Sequence, residues 1–198
     1  MDFISLCEFL TIPLSSTRVH NKILCKSYNL YFYYKTILKM KQALQIRFTE
    51  YDRLDELSKT QVILVNKAIE AARNAYAPYS SYYVGAAVLL SNGEIITGNN
   101  QENAAYPSGL CAERVAIFYA GSQFPDVPAT SIAIVAIQDG LIQDEPVAPC
   151  GGCRQVLCEK ESQGGLPLEM ILYGKKKIQV IQHASDLLPL PFILRKGN

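Results

Sequence analysis

Residues 131–137 read Ser-Ile-Ala-Ile-Val-Ala-Ile, an apolar run without polar alternation. A strand with one wetted face alternates apolar and polar side chains, so an unbroken run requires cover on both faces. The flanking sequence offers that cover. Ser58-x-x-Gln61 is a capping box, and Val62, Val65, Ile69, Ala72 and Tyr76 recur at helical spacing behind it, up to a stop at Ala77-Pro78. Tyr82 to Leu90 and Glu94 to Gly98 flank Asn92-Gly93 and read as a hairpin. Short helices are expected from Cys111 to Ala120 and from the cysteines near 150 to about Lys160, followed by strands Leu168–Tyr173 and Lys177–Ile181. Asp139 to Pro149 reads as a loop. The order implies about five strands with helices on both faces, an α/β architecture.

A chain of 198 residues, 49% apolar and 19% charged, supports one compact domain. Its net charge of +1 gives no reason to expect a basic nucleic-acid surface, and its longest charge block is Lys175-Lys176-Lys177. The six cysteines are not spread like a disulfide framework, which points to a reducing, cytoplasmic setting.

Residues 1–39 differ from the rest. They carry five basic residues against two acidic ones, with no export-signal pattern and no uninterrupted membrane-length apolar run. Phe, Tyr, Asn, Lys and Ile, whose codons are AT-rich, make up 17 of these positions but only 41 of residues 40–198. This composition suggests translated upstream sequence, with Met40 as the start of a single catalytic domain spanning 40–198. Cys7, Cys25 and His20 are set aside for that reason.

Chemistry concentrates in two segments, Cys111-Ala112-Glu113-Arg114 and Pro149-Cys150-Gly151-Gly152-Cys153-Arg154. Each lies where a loop becomes a helix, and a helix N-terminus lowers thiol pKa. Three converging thiolates suit zinc and leave one coordination position open, the mark of a catalytic site. Cys158 lies about 140° further round its helix than Cys153 and is expected to be a core residue. His183 is expected to be a surface or satisfied histidine. If Cys111 sits at the helix entry, Glu113 can face the metal site as a proton shuttle; taken alone it would be an ordinary first-turn carboxylate. Zinc with three thiolates carries −1, and Arg114 and Arg154, each directly after a ligand, are placed to offset it by donating to the sulfurs.

These segments resemble the small, homotetrameric, zinc-dependent cytidine deaminases, whose pattern is a first ligand two residues before a glutamate and a later P-C-x-x-C. The likeness runs from about Ser58 to Phe192 and includes Tyr79-Ser-Ser-Tyr82-Tyr83-Val84-Gly85 and Asn100-Gln-Glu102-Asn103-Ala104-Ala105-Tyr106. It implies a three-layer α/β/α sandwich around a mixed five-stranded sheet, with one zinc per subunit held by Cys111, Cys150 and Cys153. It further implies hydrolytic deamination of cytidine and 2′-deoxycytidine to the uridines and ammonia, a step of pyrimidine salvage. Glu113 would carry a proton from the activated water to the base N3 and a second to the departing amine. By the same likeness Tyr82, where the family usually has phenylalanine, stacks near the pyrimidine, Asn100 and Glu102 hold sugar hydroxyls, and the Ala112 amide donates to the base carbonyl. Active sites would be shared, with Ala104, Tyr106 and Phe192 reaching a neighbouring subunit's pocket.

Other readings account for less. A thiol–disulfide oxidoreductase built on Cys150 and Cys153 leaves Cys111 and Glu113 without a role. A closed structural zinc module needs a fourth ligand. A related deaminase of an aminated nucleoside, such as an aminonucleoside antibiotic, differs only in substrate. Membrane and nucleic-acid partners are not expected.

Overall fold

In a computed structural model, residues 44–194 are described; the expected boundary at residues 39 and 40 lies outside them. The capping box forms as expected: Gln61 N–H donates to Ser58 Oγ at 3.3 Å and Ser58 N–H to Gln61 Oε1 at 2.9 Å. It starts helix α1, Lys59–Ala72, which buries Leu64, Val65, Ala68, Ala71 and Ala72. The helix stops before Tyr76 because that residue bridges to Gln101, with Tyr76 N–H donating to Asn100 O and Glu102 N–H to Tyr76 O. Tyr76 is therefore a strand-like, half-exposed residue and not part of the helix face.

Strands β1 (Thr49–Tyr51), β2 (Tyr82–Leu90), β3 (Ile95–Asn99), β4 (Ala129–Gln138), β5 (Leu141–Ile142), β6 (Glu169–Tyr173) and β7 (Ile178–Ile181) form one sheet. The order is β1-β7-β6-β4-β2-β3, with β5 paired to β4. The β4–β6 pair is parallel and the other pairs antiparallel, so the sheet is mixed. It has seven strands, not the expected five. The additions, β1 and β5, are three and two residues long, too short to show a period of two, and β5 lies in the stretch read as a loop.

The apolar run lies in β4, central in this sheet, and its residues divide between two cores. Ile132 and Ile134 pack with Ala116 and Leu157, from α2 (Ala112–Gln123) and α3 (Gly151–Gly164). Ala133 and Val135 pack with Leu64 and Val65 of α1 on the other face. Helix, sheet and helices thus form three layers, and the unbroken hydrophobicity of β4 reflects burial from both sides.

Two glycines allow the layers to close. A β-carbon at Gly98 would lie 2.5 Å from Ala116 N of α2; one at Gly85 would run into Ala68 O and lie 2.5 Å from Ala72 N of α1. Both obstacles are backbone, which cannot rotate away. Gly85→Ala is expected to cost about 2 kcal/mol or more by overpacking, read as a lower urea midpoint than the parent protein.

Candidate metal and active site

The cysteine positions follow from helix starts. Cys111 and Cys150 are the N-cap residues of α2 and α3, both with extended backbone, and Cys153 is the third residue of α3. Since both helices pack on one sheet face, their N-termini bring the three Sγ atoms within 4.8 Å of one another. The Cys111 and Cys150 sulfurs are 3.9 Å apart. A tetrahedral shell with zinc–sulfur bonds near 2.3 Å has an edge of roughly 3.8 Å, so the donor set matches zinc in identity and spacing. Among the described residues no other group of three or more His, Cys, Asp or Glu side chains brings its ligand atoms together in this way, and Cys158 and His183 stay outside this one.

Two of the clustered thiols have shifted pKa values. Cys111 is pulled down to about 5, first by the Cys153 thiol, then, against the cost of burial, by Arg114 and Cys150. Cys153 is pushed up by the same contact with Cys111 and by burial. One thiolate therefore forms readily and its neighbour keeps its proton, an arrangement in which a divalent cation replaces protons. Arg114 Nη2 donates to Cys111 Sγ at 3.7 Å, as the charge argument requires, and its Nε is buried with no partner among the described residues. Arg154 acts differently from expectation. Its Nε donates to Pro149 O at 2.8 Å and Nη1 to Leu187 O at 3.2 Å, so it fixes the backbone ahead of Cys150 and does not reach a sulfur.

Glu113, the second residue of α2, is 4% exposed and is the one buried charged side chain described. Burial, reinforced by the Cys111 thiolate, raises its carboxyl above the ordinary range. It lines a cavity of about 520 Å³ together with Cys111, Cys150, Ala112, Tyr82, Asn100 and Glu102. Val84 and Ile134 form an apolar wall that sequence reasoning did not single out, because on sequence they are indistinguishable from other core strand residues. The Ala112 N–H is at the first position of α2, where the helix supplies no acceptor.

Asn100 and Glu102 line this cavity while holding its rim together. Asn100 Oδ1 accepts from Val84 N–H at 2.7 Å and Nδ2 donates to Tyr82 O at 2.9 Å. Glu102 accepts from Tyr79 N–H at 2.9 Å, Ser80 N–H at 3.3 Å and the Ser80 hydroxyl, which together hold its carboxyl low. Tyr106 lies at the same rim, with its ring 6.1 Å from that of Tyr79. Ala104 and Phe192 are exposed and do not line this chain's cavity.

The fold and the site together define an α/β protein with a three-cysteine cluster that could hold a metal ion and a buried carboxyl group beside it. The chain belongs to the cytidine and deoxycytidylate deaminase zinc-binding family, whose model matches residues 58–163. It is 46% identical over 98 residues to the cytidine deaminase of Halalkalibacterium halodurans, covering 49% of this chain and 69% of that one. The Mycobacterium tuberculosis cytidine deaminase is 39% identical over 97 residues, covering 49% and 68%. Among solved structures, the cytidine deaminase of Burkholderia pseudomallei aligns with a TM-score of 0.58 and 37% identity, covering 69% of this chain and all of that one.

Helix α3 also pins the C-terminal segment, which sequence reasoning missed because the partners are distant backbone atoms. Glu161 accepts from Leu168 N–H at 3.0 Å, Ser185 N–H at 2.9 Å and His183 Nδ1 at 3.2 Å. Gln155 pairs with both backbone groups of Phe192, at 2.8 and 3.1 Å. Burial raises the Glu161 carboxyl, but the Leu168 and Ser185 donors and His183 outweigh it and the net shift is downward. A carboxyl lowered by folding stabilises the fold above its unfolded pKa and loses that contribution as pH falls through its folded one. Glu161→Gln should therefore cost about 1–3 kcal/mol at pH 7, with the gap to the parent protein narrowing on acidification below about pH 4, as read by urea denaturation at each pH.

Proposed function

We propose that this chain catalyses zinc-dependent hydrolytic deamination of cytidine and 2′-deoxycytidine to uridine and 2′-deoxyuridine with release of ammonia, in pyrimidine salvage. The observation that carries this reading is a buried carboxylate, Glu113, beside three clustered thiols at the floor of a cavity sized for a nucleoside. Cys111, Cys150 and Cys153 would hold one zinc per subunit. When bound, the metal supplies Lewis-acid activation of water near neutral pH. The remaining steps belong to the chain's own residues. Glu113 Oε would accept a proton from the attacking water and pass it to the base N3, which makes C4 electrophilic; once the oxygen has added to C4, Glu113 would take the remaining hydroxyl proton as the C4 carbonyl forms and pass it to the amine, so that the C4–N bond breaks with loss of ammonia. Burial suits Glu113 to this work, since a raised carboxyl is a better proton acceptor than an exposed one.

Substrate contacts follow from unused bonding capacity. The Ala112 N–H donates to the base carbonyl, and Tyr82 stacks against the ring. Asn100 retains one amide proton and one carbonyl lone pair beyond its two backbone bonds. Glu102 retains a lone pair beyond its three donors, so both can engage ribose hydroxyls.

Tyr106 and Phe192, each 72% exposed, leave large apolar area in water, and Ala104 is exposed near Tyr106. This supports a homotetramer in which these residues complete a neighbour's pocket. Four free cysteines among the described residues support a cytoplasmic setting, and no helix among those residues is long and apolar enough to cross a membrane.

Glu113→Gln tests the assignment. The variant should keep its zinc while kcat for cytidine, followed by ultraviolet absorbance and ammonia release, falls by at least about a thousandfold. Zinc retention with unchanged turnover, or no ammonia from cytidine and deoxycytidine in the parent protein, would refute it.

A further inference from the structure

A second cavity, about 550 Å³, lies on the opposite face of the sheet. Its floor is Tyr83, Ile137, Ile142 and Tyr173, and Arg73 and Lys175 also line it. The register explains the floor. Tyr83 pairs with Ile137 and Ile137 with Ile142, while Tyr173 pairs with Val135 two residues away, so all four side chains point to the side on which Val135 meets α1. Tyr82, the neighbour of Tyr83, points the other way, into the metal-site cavity. Helix α1 ends at Ala72, and the chain turns off to its bridge at Tyr76. The last turn of α1 walls one side of the cavity through Ile69 and Ala72, and the crevice opens beyond it at the carboxyl ends of the parallel pair β4 and β6, the position where open α/β sheets form ligand crevices.

The chemistry of the lining is specific. Arg73 and Lys175 make no side-chain hydrogen bond or ion pair among the described residues, while nearby acids are already engaged, Asp144 by Lys176 at 2.6 Å and Glu70 by Lys67 at 3.0 Å. Two other acids close by have no ion pair among the described residues, Asp139 in the adjacent turn and Glu145 against Gly174, and neither lines the cavity. Nor is the Arg73 guanidinium needed to cap α1, because the backbone N–H groups of Arg73, Asn74 and Ala75 already satisfy its last carbonyls. The hydroxyls of Tyr83 and Tyr173 have no hydrogen-bond partner among the described residues, and neither ring pairs with another aromatic ring there. Two cations and two free phenols around an apolar floor match a flat apolar body with one anionic group.

We infer that this crevice is a second binding site, for an aromatic monoanion, separate from the metal centre. The test titrates the full chain with 1-anilinonaphthalene-8-sulfonate and follows fluorescence. Saturable binding is expected, with affinity reduced by about tenfold in the double variant Arg73→Glu/Lys175→Glu and by roughly threefold in Arg73→Gln, a milder surface change. The uncharged analogue N-phenyl-1-naphthylamine should bind the parent and double variant alike. Equal sulfonate affinity in all three proteins, or no saturable binding to the parent, would overturn the inference.

Discussion

Everything at the metal centre depends on two helices that begin at the same point in space. Helices α2 and α3 lie on one sheet face, and their first turns converge so that two N-cap cysteines and a third-position cysteine share a space under 5 Å across. This convergence brings the sulfur atoms together, and it also sets unpaired N–H groups and two positive dipole ends beside them, which would offset the charge of three thiolates around a bound metal. The close contact of α2 with β3 at Gly98 holds one of these helices at that depth.

Such an arrangement explains why one carboxylate can be buried here. Glu113 loses hydration, yet it lies in the first turn of α2 with Arg114 next to it, so its charged form is disfavoured without being forbidden. The rim of the cavity follows a similar economy. Asn100 and Glu102 each fix a segment of backbone and still keep capacity for a ligand, so rim shape and polar recognition are linked in the same side chains. The pinning of the C-terminal segment by Arg154, Gln155 and Glu161 ties the helix that carries two of the cysteines to residues 185–192.

The central strand, the start of α1 and the cysteine pair at the start of α3 were legible in the sequence because each has a local signature: an unbroken apolar run, a capping box, a Pro-Cys-x-x-Cys. The parts that were not legible depend on tertiary contacts. Strands β1 and β5 exist because a neighbouring edge accepts them, not through any period of their own. Helix α1 ends early because Tyr76 finds a strand partner at Gln101. The two arginines have the same sequence position relative to a ligand but opposite outcomes: Arg114 reaches a sulfur, whereas Arg154 finds two carbonyls closer to hand. Sequence spacing places both beside the site and cannot rank competing acceptors.

The zinc centre proposed for Cys111, Cys150 and Cys153 is closed on three sides by sulfur and open on the fourth, toward Glu113. X-ray absorption at the zinc edge of the purified full-length protein tests it most directly. Three sulfur neighbours at about 2.3 Å and one oxygen or nitrogen neighbour are expected. A shell of four sulfurs would mean that Cys158 or another thiol closes the site and would contradict it.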